Sequence, residues 1–178
     1  MKAIKFFLAA IAMTFAMNAN AEWKLNLGDG HFTVNADFGV YDAASSWAGF
    51  GLGATYQTEV FTSDWVTLDW DVLHFEWNAP FDSPKYANDL NFKTGLRAYS
   101  PSFAKGHLRA YTNLDLGYDL YLEKDGFTDK VESYSGFGLD YGIGLQLNKK
   151  FSLGYSLIFA KFKFANCKGH YATIAYTF

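Results

Sequence analysis

The segment that decides the fold is His107 to Leu122, HLRAYTNLDLGYDLYL. Taken by twos, Leu108, Ala110, Thr112, Leu114, Leu116, Tyr118, Leu120 and Leu122 fall on one side. His107, Arg109, Tyr111, Asn113, Asp115, Gly117, Asp119 and Tyr121 fall on the other. A period of two marks a β-strand with two unlike faces, because successive side chains point to opposite sides of a sheet. Ordinary strands run about 5–6 residues. This run is long enough to cross an outer membrane at a tilt, which takes about 9–11 residues.

The pattern recurs on both sides of that segment. Phe32, Val34, Ala36, Phe38 and Val40 alternate with Thr33, Asn35, Asp37 and Gly39, and Ala48 to Tyr56 alternate with a series of glycines. Val66 to Val72 alternate with Thr67, Asp69 and Asp71; the phase then slips, so that Leu73, Phe75 and Trp77 are apolar and His74 and Glu76 polar. Such a slip predicts a bulge or a departure from the membrane. Further runs cover Leu90–Tyr99, Phe137–Leu147, Phe151–Phe159 with a second slip before Phe162 and Phe164, and Tyr171–Phe178. The count is eight strands, with no helical period. An even number of antiparallel strands closes with both termini on one side, and closure pairs every backbone group that lipid would otherwise leave unsatisfied.

Composition agrees with this pattern once the two faces are averaged. The 178 residues are half hydrophobic and one fifth aromatic, with 16 Gly and one Cys, and mean hydropathy is near zero. A single cysteine excludes a disulfide scaffold. Residues 1–21 read as a signal peptide: Lys2 and Lys5, an apolar run from Phe6 to Ala16, and Ala19-Asn20-Ala21 before Glu22. Residues 22–178 are then the barrel domain. Removing the leader takes away two lysines and no acid, so the net charge of −3 becomes two units more negative. A mildly acidic export product is a poor nucleic-acid binder.

Which face looks outward separates a membrane barrel from a soluble one. The polar positions carry Gly, Ser, Thr, Asn and Asp rather than the Lys and Glu of a water-facing strand. Asp37, Asp69, Asp71, Asp115, Asp119 and Asp140 with Lys93, Arg97 and Arg109 form the expected lumen charge network, a mutually neutralising interior. Aromatics collect near strand ends, with Tyr56, Trp65, Phe151, Tyr176 and Phe178 at one rim and Trp47, Trp77, Phe162 and Phe164 at the other.

The signal peptide, the alternation across 31–178 and the closing YATIAYTF resemble the small eight-stranded outer-membrane β-barrels of Gram-negative bacteria, of the outer-membrane protein X, opacity-protein and OmpA-barrel types. The resemblance implies an all-β, eight-stranded antiparallel transmembrane barrel in the outer membrane. It implies lipids and lipopolysaccharide as surroundings and the barrel assembly machinery as a partner in biogenesis. Ile174, Tyr176 and Phe178 are similar to the signal that this machinery recognises, although Thr173 stands where that signal often has Gly. With Phe178 at the periplasmic rim, Thr58–Asp64, Ser100–Gly106 and Asn148–Lys150 become periplasmic turns. Tyr41–Ser46, Ala79–Asp89, Glu123–Ser133 and Ala165–Gly169 become outer loops.

An eight-stranded barrel is just wide enough for side chains to fill it, so a wide porin is excluded. The expected role is structural or surface-interacting. The alternatives are a narrow or gated conduit and a lipid A-modifying enzyme. The enzyme reading places His74 and Glu76 near the outer rim with a serine from Ser83, Ser133 or Ser135, where an oriented imidazole could activate a hydroxyl. No pattern names a catalytic residue, a cofactor or a three-His metal cluster. Cys167 falls in the last outer loop as a free thiol or an intermolecular partner, and Glu123–Lys130 reads as a solvated hairpin tip.

Overall fold

The computed structural model describes residues 22–24, 26–42, 46–81, 87–124, 130–162 and 166–178. The expected signal peptide, residues 1–21, lies outside the described residues. A two-residue strand, β1 (Glu22–Trp23), and a 3-10 turn (Leu27–Asp29) precede eight long strands. These are β2 (His31–Asp42), β3 (Ser46–Thr62), β4 (Thr67–Pro80), β5 (Ala87–Tyr99), β6 (Leu108–Lys124), β7 (Val131–Leu147), β8 (Phe151–Phe162) and β9 (Asn166–Thr177). Each pairs antiparallel with the next, and β2 pairs with β9 from Thr33↔Thr177 to Asp42↔Lys168, which closes the barrel. Closure leaves no open edge between first and last strand, the condition for a sheet to sit in lipid.

Alternation sorts the side chains. Phe32, Val34, Phe38, Leu52, Phe92, Leu96, Leu116, Ile143, Leu153 and Ile174 are exposed, whereas Thr33, Asp37, Thr55, Asn91, Lys93, Asp115, Asp140 and Thr173 are buried. An apolar exterior wrapped around a polar interior is the inverse of a soluble barrel, so these strands span a membrane. At the end that carries the C-terminus, Phe32 packs on Tyr56 with ring centroids 4.9 Å apart, and Phe151, Tyr176 and Phe178 follow one another at 5.1 and 5.0 Å. This is the aromatic girdle expected at one interface.

The slip within β4 is a bulge. Tyr56↔Leu73 is followed by Gln57↔Asp71 toward β3, and Asp71↔Gly95 is followed by His74↔Lys93 toward β5. Thr94 fastens it, accepting from Trp70 Nε1 at 2.9 Å and donating to the Asp71 carbonyl at 2.8 Å. One extra residue lets both Asp71 and His74 face inward.

The second expected slip, before Phe162, is corrected. β8 keeps an unbroken register with β7 and with β9, and Ile158, Ala160 and Phe162 remain buried on the inner face. What changes there is the chemistry of the interior, from polar to apolar. Phe164 lies outside the described residues.

The strands also run further toward the loop end than the sequence pattern indicates. β7 begins at Val131, with Lys124↔Val131 still paired, and Asp89 and Cys167 belong to strands β5 and β9. The loop-end connections are therefore shorter than expected, and 43–45, 82–86, 125–129 and 163–165 within them lie outside the described residues. At the opposite end, hereafter the turn end, β3 continues beyond β2 to Thr62, paired with β4 on one edge (Phe61↔Leu68, Thr62↔Thr67) and with β1 on the other (Glu22↔Thr62, Trp23↔Phe61). The tightest connection there joins β7 to β8. Asn148 and Lys149 both take positive φ, and the Lys150 N–H donates to the Leu147 carbonyl at 3.0 Å, a tight turn within a three-residue connection across which Leu147 pairs with Phe151.

Candidate functional site: the barrel lumen

The inner face divides into three layers. At the turn end, Thr33 donates to Gln57 Oε1 at 2.7 Å, Gln57 Nε2 donates to Asp71 Oδ1 at 2.6 Å, and Arg97 Nη2 donates to Asp71 Oδ2 at 3.2 Å. Arg109 Nε donates to Gln146 Oε1 at 2.6 Å, and its guanidinium lies 3.5 Å from the Tyr99 ring centroid, a cation–π contact. His31 Nε2 stands 3.7 Å from Asp69 Oδ2.

The middle layer is charged. Lys93 Nζ lies 2.6 Å from Asp140 Oδ1 and 2.9 Å from Asp119 Oδ1, with no part of the lysine side chain exposed. His74 bonds Thr55 Oγ1 through Nδ1 at 2.8 Å and faces Glu76 Oε2 through Nε2 at 3.3 Å. Asn78 and Asn35 donate to the two oxygens of Glu76 at 2.7 and 3.3 Å. Asp37 accepts from Asn35 and Thr173, and Asn113 donates to Asp115 Oδ2 at 2.6 Å.

Above this layer the lumen turns apolar and aromatic. Tyr41, Tyr121, Ile158, Phe162, Cys167 and Tyr171 form one buried cluster against which Trp47 packs. Tyr41 is stacked on Trp47 at 4.9 Å and on Tyr121 at 6.1 Å, with an interplanar angle of 12° in the second pair. Trp47 and Phe162, expected in a lipid-facing girdle, are thus part of an internal cap. Trp77 stays outside, edge-on to Phe50 at 5.5 Å, with its Nε1 donating to Asn88 Oδ1 at 2.8 Å.

The structures this chain is similar to have the same architecture. Neisserial surface protein A superposes with a TM-score of 0.57 at 11% identity, over 84% of this chain and 97% of that one. Ail, the attachment invasion locus protein of Yersinia pestis, gives 0.52 at 16% identity, again over 84% and 97%. The chain has the fold of the small eight-stranded outer-membrane barrels. No family model matches the sequence, and neither does any curated protein.

Placed on this outer-membrane barrel, the expected network residues all line the lumen, where Lys93 pairs with Asp119 and Asp140 and Arg97 with Asp71, and carboxylates are left in excess. Among the described residues, Asp37, Asp69, Asp71, Glu76, Asp89, Asp115, Asp119 and Asp140 are buried carboxylates, and of the lysines and arginines only Lys93 and Arg97 are buried with them. Glu76 and Asp89 were outside the sequence-derived network, the first because it fell after a phase slip and the second because it looked like loop. The enzyme constellation is not assembled from the described residues. His74 and Glu76 are buried inside the barrel, whereas exposed Ser133 and Ser135 pair with Leu122 and Leu120 on the lipid-facing side. Ser83 lies outside the described residues. Cys167 is no loop thiol: it is a free, buried cysteine within the cap.

The barrel also explains part of its glycine content. Tyr111, Gly144 and Gly154 form one row across β6, β7 and β8, and the Tyr111 side chain occupies the space over the two glycines. A Cβ on Gly144 would sit 2.7 Å from Tyr111 Cε1 and 2.4 Å from the Leu153 carbonyl. Gly144→Val should cost about 1–3 kcal/mol through this overpacking, measured by urea unfolding in detergent micelles. A variant as stable as the parent would show that the ring has room to move.

Proposed function

We propose that this chain is an integral outer-membrane barrel with a structural or surface-interaction role, a rigid non-conducting anchor that presents its loop-end connections outward. The observation that carries this reading is the filled lumen. Side chains occupy all three layers around a cavity of about 40 Å³ in the middle one, and the aromatic cluster fills the interior toward the loop end. In this reading residues 1–21 export the chain and are removed. Ile174, Tyr176 and Phe178 serve as its assembly signal, and lipopolysaccharide and other outer-membrane lipids surround the apolar belt.

Planar bilayer recording tests the reading. The purified barrel should give no discrete conductance at any voltage or salt concentration that the bilayer tolerates. Discrete openings altered by Arg97→Ala or Asp115→Ala would instead establish the conduit.

A further inference from the structure

The middle of the lumen holds a cavity of about 40 Å³, room for a small ion with a water or two, since one water needs at least roughly 10–15 Å³. Four carboxylates line it, Asp37, Glu76, Asp115 and Asp140, against Arg97 and His74. Most of that charge is already paired. Lys93 holds Asp140, His74 faces Glu76, and Arg97 reaches Asp71. Asp37 and Asp115 have only neutral side-chain donors, Asn35 and Thr173 for the first and Asn113 for the second. Asp115 is 1% exposed, and its Oδ1 has no hydrogen-bond partner.

A buried carboxylate with a free oxygen, beside a polar cavity and in an interior where acids outnumber bases, draws a cation. Among the described residues no three His, Cys, Asp or Glu side chains stand close enough to chelate a metal ion. That points away from a divalent ion, which demands several direct oxygen ligands. Hydroxyl and amide groups complete the wall, and Arg97 Nε, also without a partner, can donate to a water in the ion's shell. We propose that this cavity is a binding site for one partly hydrated monovalent cation, anchored by Asp115 and balanced by Asp37.

The test refolds the barrel in rubidium chloride or in choline chloride at equal ionic strength, so that the ion is trapped during folding. Rubidium should raise the thermal midpoint, read by the heat-modifiable gel band, by about 2–4 °C over choline, an ion too large for the cavity. Asp115→Asn should abolish the difference. Crystals grown from the rubidium sample should show an anomalous peak beside Asp115, a readout that holds even where the variant does not fold. Equal midpoints in the two salts, an equal response of parent and variant, or a cavity with water density and no anomalous signal would each overturn the proposal.

Discussion

Replacing Lys93 with methionine should cost the barrel about 3–5 kcal/mol, the range for removing one partner of a buried ion pair. The ammonium is shared by Asp119 and Asp140 at 2.9 and 2.6 Å, and neither the lysine nor Asp119 has any exposed side-chain surface. Methionine keeps the length and most of the volume of the aliphatic stem, so little is lost in packing. What is lost is, among the described residues, the only buried lysine charge in a lumen crowded with carboxylates. Urea unfolding in detergent micelles, followed by the heat-modifiable band, measures the loss. Lys93→Met with Asp119→Asn and Asp140→Asn should recover most of it, because these three positions then hold no uncompensated charge. A loss below about 1 kcal/mol for the single variant, or no recovery in the triple one, would mean that the three groups do not act as one electrostatic unit.

This network shows how far the sequence can be read and where reading stops. Alternation places Lys93, Asp119 and Asp140 on the inner face, because side-chain direction in a strand depends only on parity. It does not say which of them touch. Lys93 and Asp140 are 47 residues apart, on β5 and β7 with β6 between, and their contact depends on strand stagger, which parity does not encode. The girdle at the turn end was legible for a similar reason: Phe151, Tyr176 and Phe178 sit at strand ends on the outward phase, where local sequence suffices.

The loop end was harder to read because its interior departs from the polar-inside rule. Ile158, Ala160 and Phe162 keep the inward phase of β8, yet an apolar residue at every position from Leu157 to Ala160 looks like a change of phase. Asp89 and Cys167 fall just before the alternation becomes regular, at Leu90 and at Tyr171, and so read as loop, although both are buried on paired strands. The β4 bulge was legible because there the polar positions themselves, Asp71 and then His74, change parity. A hydrophobic pattern locates a strand through contrast between its faces, and where both faces are apolar that contrast vanishes.

The cap that produced this ambiguity should also be the part of the lumen that most affects access. Tyr41 is fully buried and touches the cap from two directions, stacking on Trp47 and on Tyr121. Tyr41→Ala should cost about 3–5 kcal/mol, the range for deleting a large buried aromatic ring, and part of it should appear as coupling with Tyr121→Ala of about 0.5–1.5 kcal/mol. Cys167, 2% exposed in the same cluster, supplies a second readout. In the folded parent it should resist a maleimide for as long as the barrel stays closed, and in Tyr41→Ala it should label while the heat-modifiable band remains folded. The lipid-facing Phe32→Ala should leave labelling unchanged, since that side chain lies on the outer surface near the opposite rim. Rapid labelling of the folded parent would show that the aromatic cluster does not seal the loop end. The Lys93 ion pairs beneath do not involve Tyr41, so under the proposed reading bilayers containing folded Tyr41→Ala should stay electrically silent even as Cys167 becomes reachable, with the cap limiting access to the upper lumen and the charged layer blocking passage through the rest.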